Sequence, residues 1–82
     1  MRAVASVYRL GPNQRAVLRC LVDGTPRSVA DISARTGKSG RQIRACLPSL
    51  LALRYVRPTR PAGWAITAAG VRAATLLRIH WN

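Results

Sequence analysis

Residues 28–37 read SVADISARTG, residues 38–56 KSGRQIRACLPSLLALRYV, residues 57–63 RPTRPAG and residues 64–70 WAITAAG. The order is a short capped helix, a tight turn, a longer helix bearing arginines, a Pro/Gly-rich hairpin tip and a fresh helix start. Ser28 with Asp31 three positions on is a capping-box-like opening. Val29 and Ile32 give this helix its apolar side, and Gly37 suits the left-handed position that ends a helix. Ser39 follows at once as the next N-cap. Two helices joined by so few residues around a glycine must cross steeply.

In the second of these helices Ile43, Leu47, Leu50 and Leu51 recur at three- and four-residue spacing and are expected to face the core. At about 100° per residue, Arg41, Ala45 and Ser49 then lie opposite, with Gln42 on one flank and Arg44 on the other. Pro48 removes the helical bond to the Arg44 carbonyl, at a cost of roughly 3 kcal/mol unless the helix bends. A bend between Arg44 and Pro48 and a fresh helix start are both open. Tyr55-Val56-Arg57 and Trp64-Ala65-Ile66 are β-prone, and Pro58 to Gly63 is turn chemistry too long for a two-residue hairpin. Thr67 is the expected cap of a last helix running toward Ile79, with Val71, Ala74 and Leu77 on one face.

Upstream, Gly11-Pro12-Asn13 opens a helix in which proline's missing N–H costs nothing. Val17, Leu18, Leu21 and Val22 form its apolar stripe, and Asp23-Gly24-Thr25-Pro26 ends it. Residues 1–10 fit a short strand, an extra turn or an arm, and residues 11–82 form one domain.

The stretch from Ser28 to Gly70 resembles a winged helix-turn-helix domain of the kind found in MarR-like and ArsR-like bacterial regulators. WAITAAG is similar to the aromatic-x-aliphatic-Thr-x-x-Gly signature that closes the wing and opens the next helix in many of those families. The resemblance covers about half the chain. It implies a mainly α fold with a small two- or three-stranded β wing, a recognition helix over residues 39–54 and a wing over residues 57–64.

The composition points the same way. Fourteen Lys and Arg face two acids, Asp23 and Asp31, for a formal charge of +12 in 82 residues. Such self-repulsion weakens the compact state unless a polyanion offsets it. All the basic residues but Lys38 are arginine, which suits planar contacts to phosphate and guanine, although a GC-rich coding sequence also favours arginine. The charge favours DNA, RNA or an acidic protein as partner. There is no 18-residue apolar run and no signal-peptide pattern, so a cytoplasmic protein is expected. Cys20 and Cys46 beside apolar helix positions read as reduced core thiols.

The expected direct-readout set is Arg41, Gln42, Arg44 and Ala45, with Lys38 and Ser39 ahead of them. Arginine can donate two bonds to guanine and glutamine can pair with adenine, while a small Ala45 permits close approach and contact with a thymine methyl. The plain alternative is the solvated face of a structural helix, but charge and helix order agree on DNA. The resemblance implies that Arg57, Thr59 and Arg60 carry the wing, where an arginine enters a narrow minor groove. Arg27, Ser28 and Arg35 around the short helix are expected at phosphates, Ser28 through the backbone N–H of a helix start. Leu76, Ile79 and Trp81 form a candidate homodimer face, or else cover the domain's own first helix. A dimer would set two recognition helices roughly 34–36 Å apart.

Catalysis and cofactors find no support. His80 has no partners at metal-ligand spacing, the two acids are not a general acid–base pair, and no phosphate-binding glycine loop or hydrolase motif occurs. Neither a small-molecule ligand nor a membrane partner is indicated. The expected function is sequence-specific binding of double-stranded DNA by a small bacterial or phage transcriptional regulator. Two rivals stay open: a protein-interaction module on the same scaffold, and an RNA- or ribosome-associated basic protein. RNA readers stack bases on exposed aromatics, and Tyr55 and Trp64 read as core residues of the wing.

Overall fold

Every helix begins where a side chain or a proline supplies a start. In the computed structural model, which describes residues 10–77, Gly11 precedes α1 (Pro12–Leu21), with Pro12 in the first turn and the Gln14 Oε1 accepting the Gly11 N–H at 2.6 Å. The Ser28 hydroxyl caps α2 (Val29–Thr36) by accepting the Asp31 N–H at 3.0 Å. Gly37 ends that helix with φ 76°, a left-handed conformation that costs other residues a clash at Cβ. Ser39 and Gln42 close a reciprocal capping box on α3 (Gly40–Ala52): the hydroxyl accepts the Gln42 N–H at 3.1 Å and the amide oxygen accepts the Ser39 N–H at 2.9 Å. Thr67 caps α4 (Ala68–Leu77) by accepting the Gly70 N–H at 3.0 Å.

Between α3 and α4 lies an antiparallel hairpin of β1 (Val56–Thr59) and β2 (Gly63–Ile66). Its register pairs Val56 with Ile66, Arg57 with Ala65, Pro58 with Trp64 and Thr59 with Gly63. The turn expected over Pro58 to Gly63 therefore shrinks to Arg60-Pro61-Ala62, and Pro58 and Thr59 belong to the strand. Proline is tolerated there for a specific reason. The Trp64 N–H and C=O both point away from β1, to the carbonyl and N–H of Arg27 at 2.8 and 2.9 Å. Pro58 thus sits opposite Trp64 in a non-hydrogen-bonded pair, where a strand residue donates nothing to its partner. Arg27 acts as a one-residue third strand on the other edge of β2.

The core is aliphatic: Val17, Leu18 and Leu21 of α1, Ile32 of α2, Ile43, Leu47 and Leu50 of α3, and Val56 and Ile66 of the hairpin meet in one cluster, together with Tyr55, Ala73 and Ala74. Two expectations about faces are corrected. Cys46, not Leu51, completes the buried stripe of α3, because positions 43, 46, 47 and 50 share one side while Leu51 turns out and is 43% exposed. On α4 the buried face is Gly70, Ala73 and Ala74, and Val71 is 41% exposed. A single 13-residue helix runs through Pro48, so the fresh-start alternative is corrected as well. Pro48 is on the exposed side of α3, where water can solvate the carbonyl it leaves unbonded.

Among the described residues the chain is a mainly helical single domain with a small two-stranded sheet, an architecture compatible with a winged helix. No helix among them is long and apolar enough to cross a membrane. Of the arm expected over residues 1–10 only Leu10 is described, and it is buried; residues 1–9 and the dimer-face residues Ile79 and Trp81 lie outside the described residues.

Candidate nucleic-acid interface

The buried stripe of α3 fixes what its other side presents. With Ile43, Cys46, Leu47 and Leu50 inward, Arg41, Arg44, Ala45 and Pro48 are exposed on the outward side, and Lys38 is half-exposed in the turn before the helix. The side chains of Lys38, Arg41 and Arg44 have no hydrogen bond or ion pair among the described residues. Arg44 runs back along the helix, as helical side chains do: its two terminal nitrogens lie 3.5 Å from where a Cβ on Gly40 would be. Both guanidinium-bearing side chains therefore belong to the N-terminal half of α3. Its first turn contains no acid, whereas the first turn of α2 contains Asp31. The N-terminus of a helix carries the positive end of the backbone dipole. Lys38, Arg41 and Arg44 thus add three cations to a pole that already favours an anion.

The polar uncharged candidates are exposed but hydrogen-bonded to the chain itself. The Ser39 hydroxyl and the Gln42 amide oxygen form the capping box of α3. The Ser49 hydroxyl donates to the Cys46 carbonyl at 2.9 Å and accepts from the Gln14 side-chain amide. Arg41, Gln42 and Ala45 also line a groove of about 460 Å³ against Gly11, Pro12 and Asn13 at the start of α1.

The hairpin brings Arg57 and Arg60 to exposed positions, and Thr59 is half-buried at the last pair before the tip. Ser28 is exposed at the start of α2, beside a shallow groove shared with Pro58, Thr59, Pro61 and Trp64. The short helix's start and the hairpin tip are therefore neighbours.

Arg27 is placed differently from the phosphate role expected of it. Its guanidinium donates to the Cys20 carbonyl at 3.2 Å and bridges the carboxylates of Asp31 and Asp23, each at 3.1 Å. Its side chain is only 11% exposed. Arg27 ties the end of α1 to the start of α2 and, through its backbone, to β2. Both carboxylates lie four residues from Arg27 in the chain, within reach across the turn that joins the two helices, a proximity that composition alone obscured. Arg35 is exposed but donates to the same Asp31 carboxylate at 3.1 Å. The hydrogen bond from Arg27, reinforced by Arg35, holds the Asp31 carboxyl below its ordinary range. The Thr25 backbone N–H, with help from Arg27, does the same for Asp23. Both acids of the chain are therefore engaged with this one arginine.

Two exposed arginines escaped the sequence reading. Arg54 follows α3 with φ 64°, a left-handed conformation rare outside glycine and unreadable from the residue itself. Arg72 lies on the outer side of α4. Of the dimer-face candidates only Leu76 is described, and it is 55% exposed. Cys20 and Cys46 are free thiols whose ionisation burial pushes above its ordinary range. No group of three metal-ligating side chains occurs among the described residues.

No protein-family model and no curated protein matches the chain. It is similar to the solved structure of a protein with unknown function from Listeria innocua Clip11262, with 27% identity and a TM-score of 0.79 over 99% of this chain. The chain spans 60% of that neighbour's length.

Proposed function

We propose that this chain is a winged-helix module that binds double-stranded DNA sequence-specifically, with α3 in the major groove and the β1–β2 tip beside the minor groove, as in a small transcriptional regulator. One observation carries the reading: Lys38, Arg41 and Arg44 crowd the positive pole of α3 with no acid in its first turn and, among the described residues, no partner for their side chains. Alone, that arrangement is electrostatically unfavourable. A phosphate backbone reverses its sign, and releasing DNA counterions adds to the gain. The hairpin supports the reading by presenting Arg57 and Arg60 on an edge that carries no acid. Arg35 and the exposed start of α2 at Ser28 are placed at flanking phosphates; Arg27 is assigned to the scaffold.

The test is selection from random duplex DNA with competing RNA, at about 150 mM salt so that loose phosphate attraction is suppressed. Recovery of a motif is expected, and an inverted repeat would mean two copies bind together. Preferential retention of RNA, or loss of all nucleic acid at that salt, would sink the proposal.

A further inference from the structure

Resting on the DNA reading above, we infer that α3 reads guanine through Arg41 and Arg44 and leaves adenine unread. Four side-chain chemistries distinguish bases in the major groove: arginine or lysine for guanine, glutamine or asparagine for adenine, a carboxylate for cytosine's amino group, and an apolar contact for the thymine methyl. The helix GRQIRACLPSLLA contains no carboxylate and no asparagine. Its one glutamine, Gln42, has its amide oxygen on the Ser39 N–H. Turning that amide out to a base would open the capping box of α3 and give the exposed Ser39 N–H up to solvent. Ser39 is tied into the same cap, and the Ser49 hydroxyl is engaged with Cys46 and Gln14. What remains on the outward side is Arg41, Arg44 and the apolar Ala45 and Pro48, the last a full turn from Arg44 toward the C-terminus.

The spacing supports the assignment. Arg41 and Arg44 are three residues apart, a rise of about 4.5 Å along the helix axis. Base pairs rise by about 3.4 Å, so the two guanidiniums address guanines in neighbouring or next-but-one pairs. Neither guanidinium is tethered among the described residues, so each is free to make the paired bonds to O6 and N7. Ala45, one position on from Arg44, is small enough to lie against a thymine methyl next to them.

The probe is the duplex recovered in the selection above, resynthesised with 7-deazaguanine or with 7-deazaadenine, which replace N7 by C–H without altering base pairing. Affinity of the full chain for each is measured at fixed salt. Replacing the motif guanines is expected to weaken binding about tenfold or more, and replacing the adenines to leave it unchanged. Arg41→Ala and Arg44→Ala should each abolish sensitivity at one guanine, while Gln42→Ala should keep the motif and lower only thermal stability. A bound motif that ignores 7-deazaguanine would show that the arginines grip phosphate alone. A base preference that moves with Gln42→Ala would restore glutamine as a reader. Either result overturns the guanine assignment and leaves DNA binding intact. Binding of duplex without any motif also removes it, and failure to retain duplex at all removes the DNA reading with it.

Discussion

At the residue scale, the candidate interface separates into side chains with partners and side chains without. Arg41 and Arg60 are both exposed, yet their expected roles differ. Arg41→Ala should weaken specific binding by about 1–3 kcal/mol and relax preference at one or two positions. Arg60→Ala should weaken all sequences evenly and reduce the salt slope by about one. Titrations of specific and random duplexes at several salt concentrations distinguish them, and equal effects on both duplexes would mean the roles are misassigned. Gly70 marks the opposite kind of constraint. A Cβ there would fall 2.2 Å from the Tyr55 carbonyl oxygen and 2.6 Å from Ile66. The glycine of WAITAAG is thus required by the approach of α4 to the β1 entry. Gly70→Ala should destabilise by about 1–3 kcal/mol despite alanine's better helix propensity, read as a fall in the midpoint of thermal unfolding.

At the element scale, α3 combines a good start with a poor middle. Its capping box holds the first turn, whereas Pro48 deletes a bond in the third. Because Pro48 is exposed, substitution should fill no space and create no clash. Pro48→Ala should raise stability by up to about 3 kcal/mol, several degrees to some twenty in melting midpoint for a domain of this size. A midpoint that does not rise would mean that α3 is not continuous through this position. Arg27 acts between elements. Removing it as Arg27→Ala leaves Asp23 and Asp31 without their shared cation and the Cys20 carbonyl without its donor. The expected outcome is a lower melting midpoint with an unchanged DNA motif, since Arg27 is assigned to the scaffold and not to the interface.

At the scale of the whole molecule, charge and ionisation set the response to solution conditions. With a formal charge of +12, raising salt should stabilise the free domain by screening its self-repulsion and at the same time weaken its hold on DNA. The pH dependence follows from five displaced ionisations. Asp23 and Asp31 are depressed in the folded chain, so their contribution is complete above the unfolded carboxylate value of about 3.9 and is lost as pH falls through the lower folded values. Cys20, Cys46 and Tyr55 are displaced upward by burial. Unfolding therefore gains from their ionisation once pH passes about 8.5 for the thiols and about 10 for the phenol. Unfolding midpoints measured across pH should form a plateau between roughly pH 5 and 8 that falls on both sides. A midpoint still climbing above pH 9 would contradict the burial of the thiols.

The sequence by itself determined the things that depend on neighbours in the chain. Ser28, Ser39 and Thr67 as caps, Gly37 as a helix end, the inward positions Ile43, Leu47 and Leu50 and the overall charge all follow from local hydrogen bonding, helical periodicity and composition. Whatever depends on distant parts of the chain was decided only by the tertiary structure. Pro58 entered a strand because Trp64 turned its backbone toward Arg27, thirty-seven residues earlier. Leu51 and Val71 faced outward because packing, not hydrophobicity, selects which of several apolar positions is covered. Arg27 and Gln42 are the intermediate case: Asp23 and Asp31, four residues to either side, hold the Arg27 guanidinium, and Gln42 closes a cap with Ser39 three residues back, local contacts that residue type alone did not single out. Residue type told which side chains are able to bind an anion or a base; the fold told which of them remain free to do so.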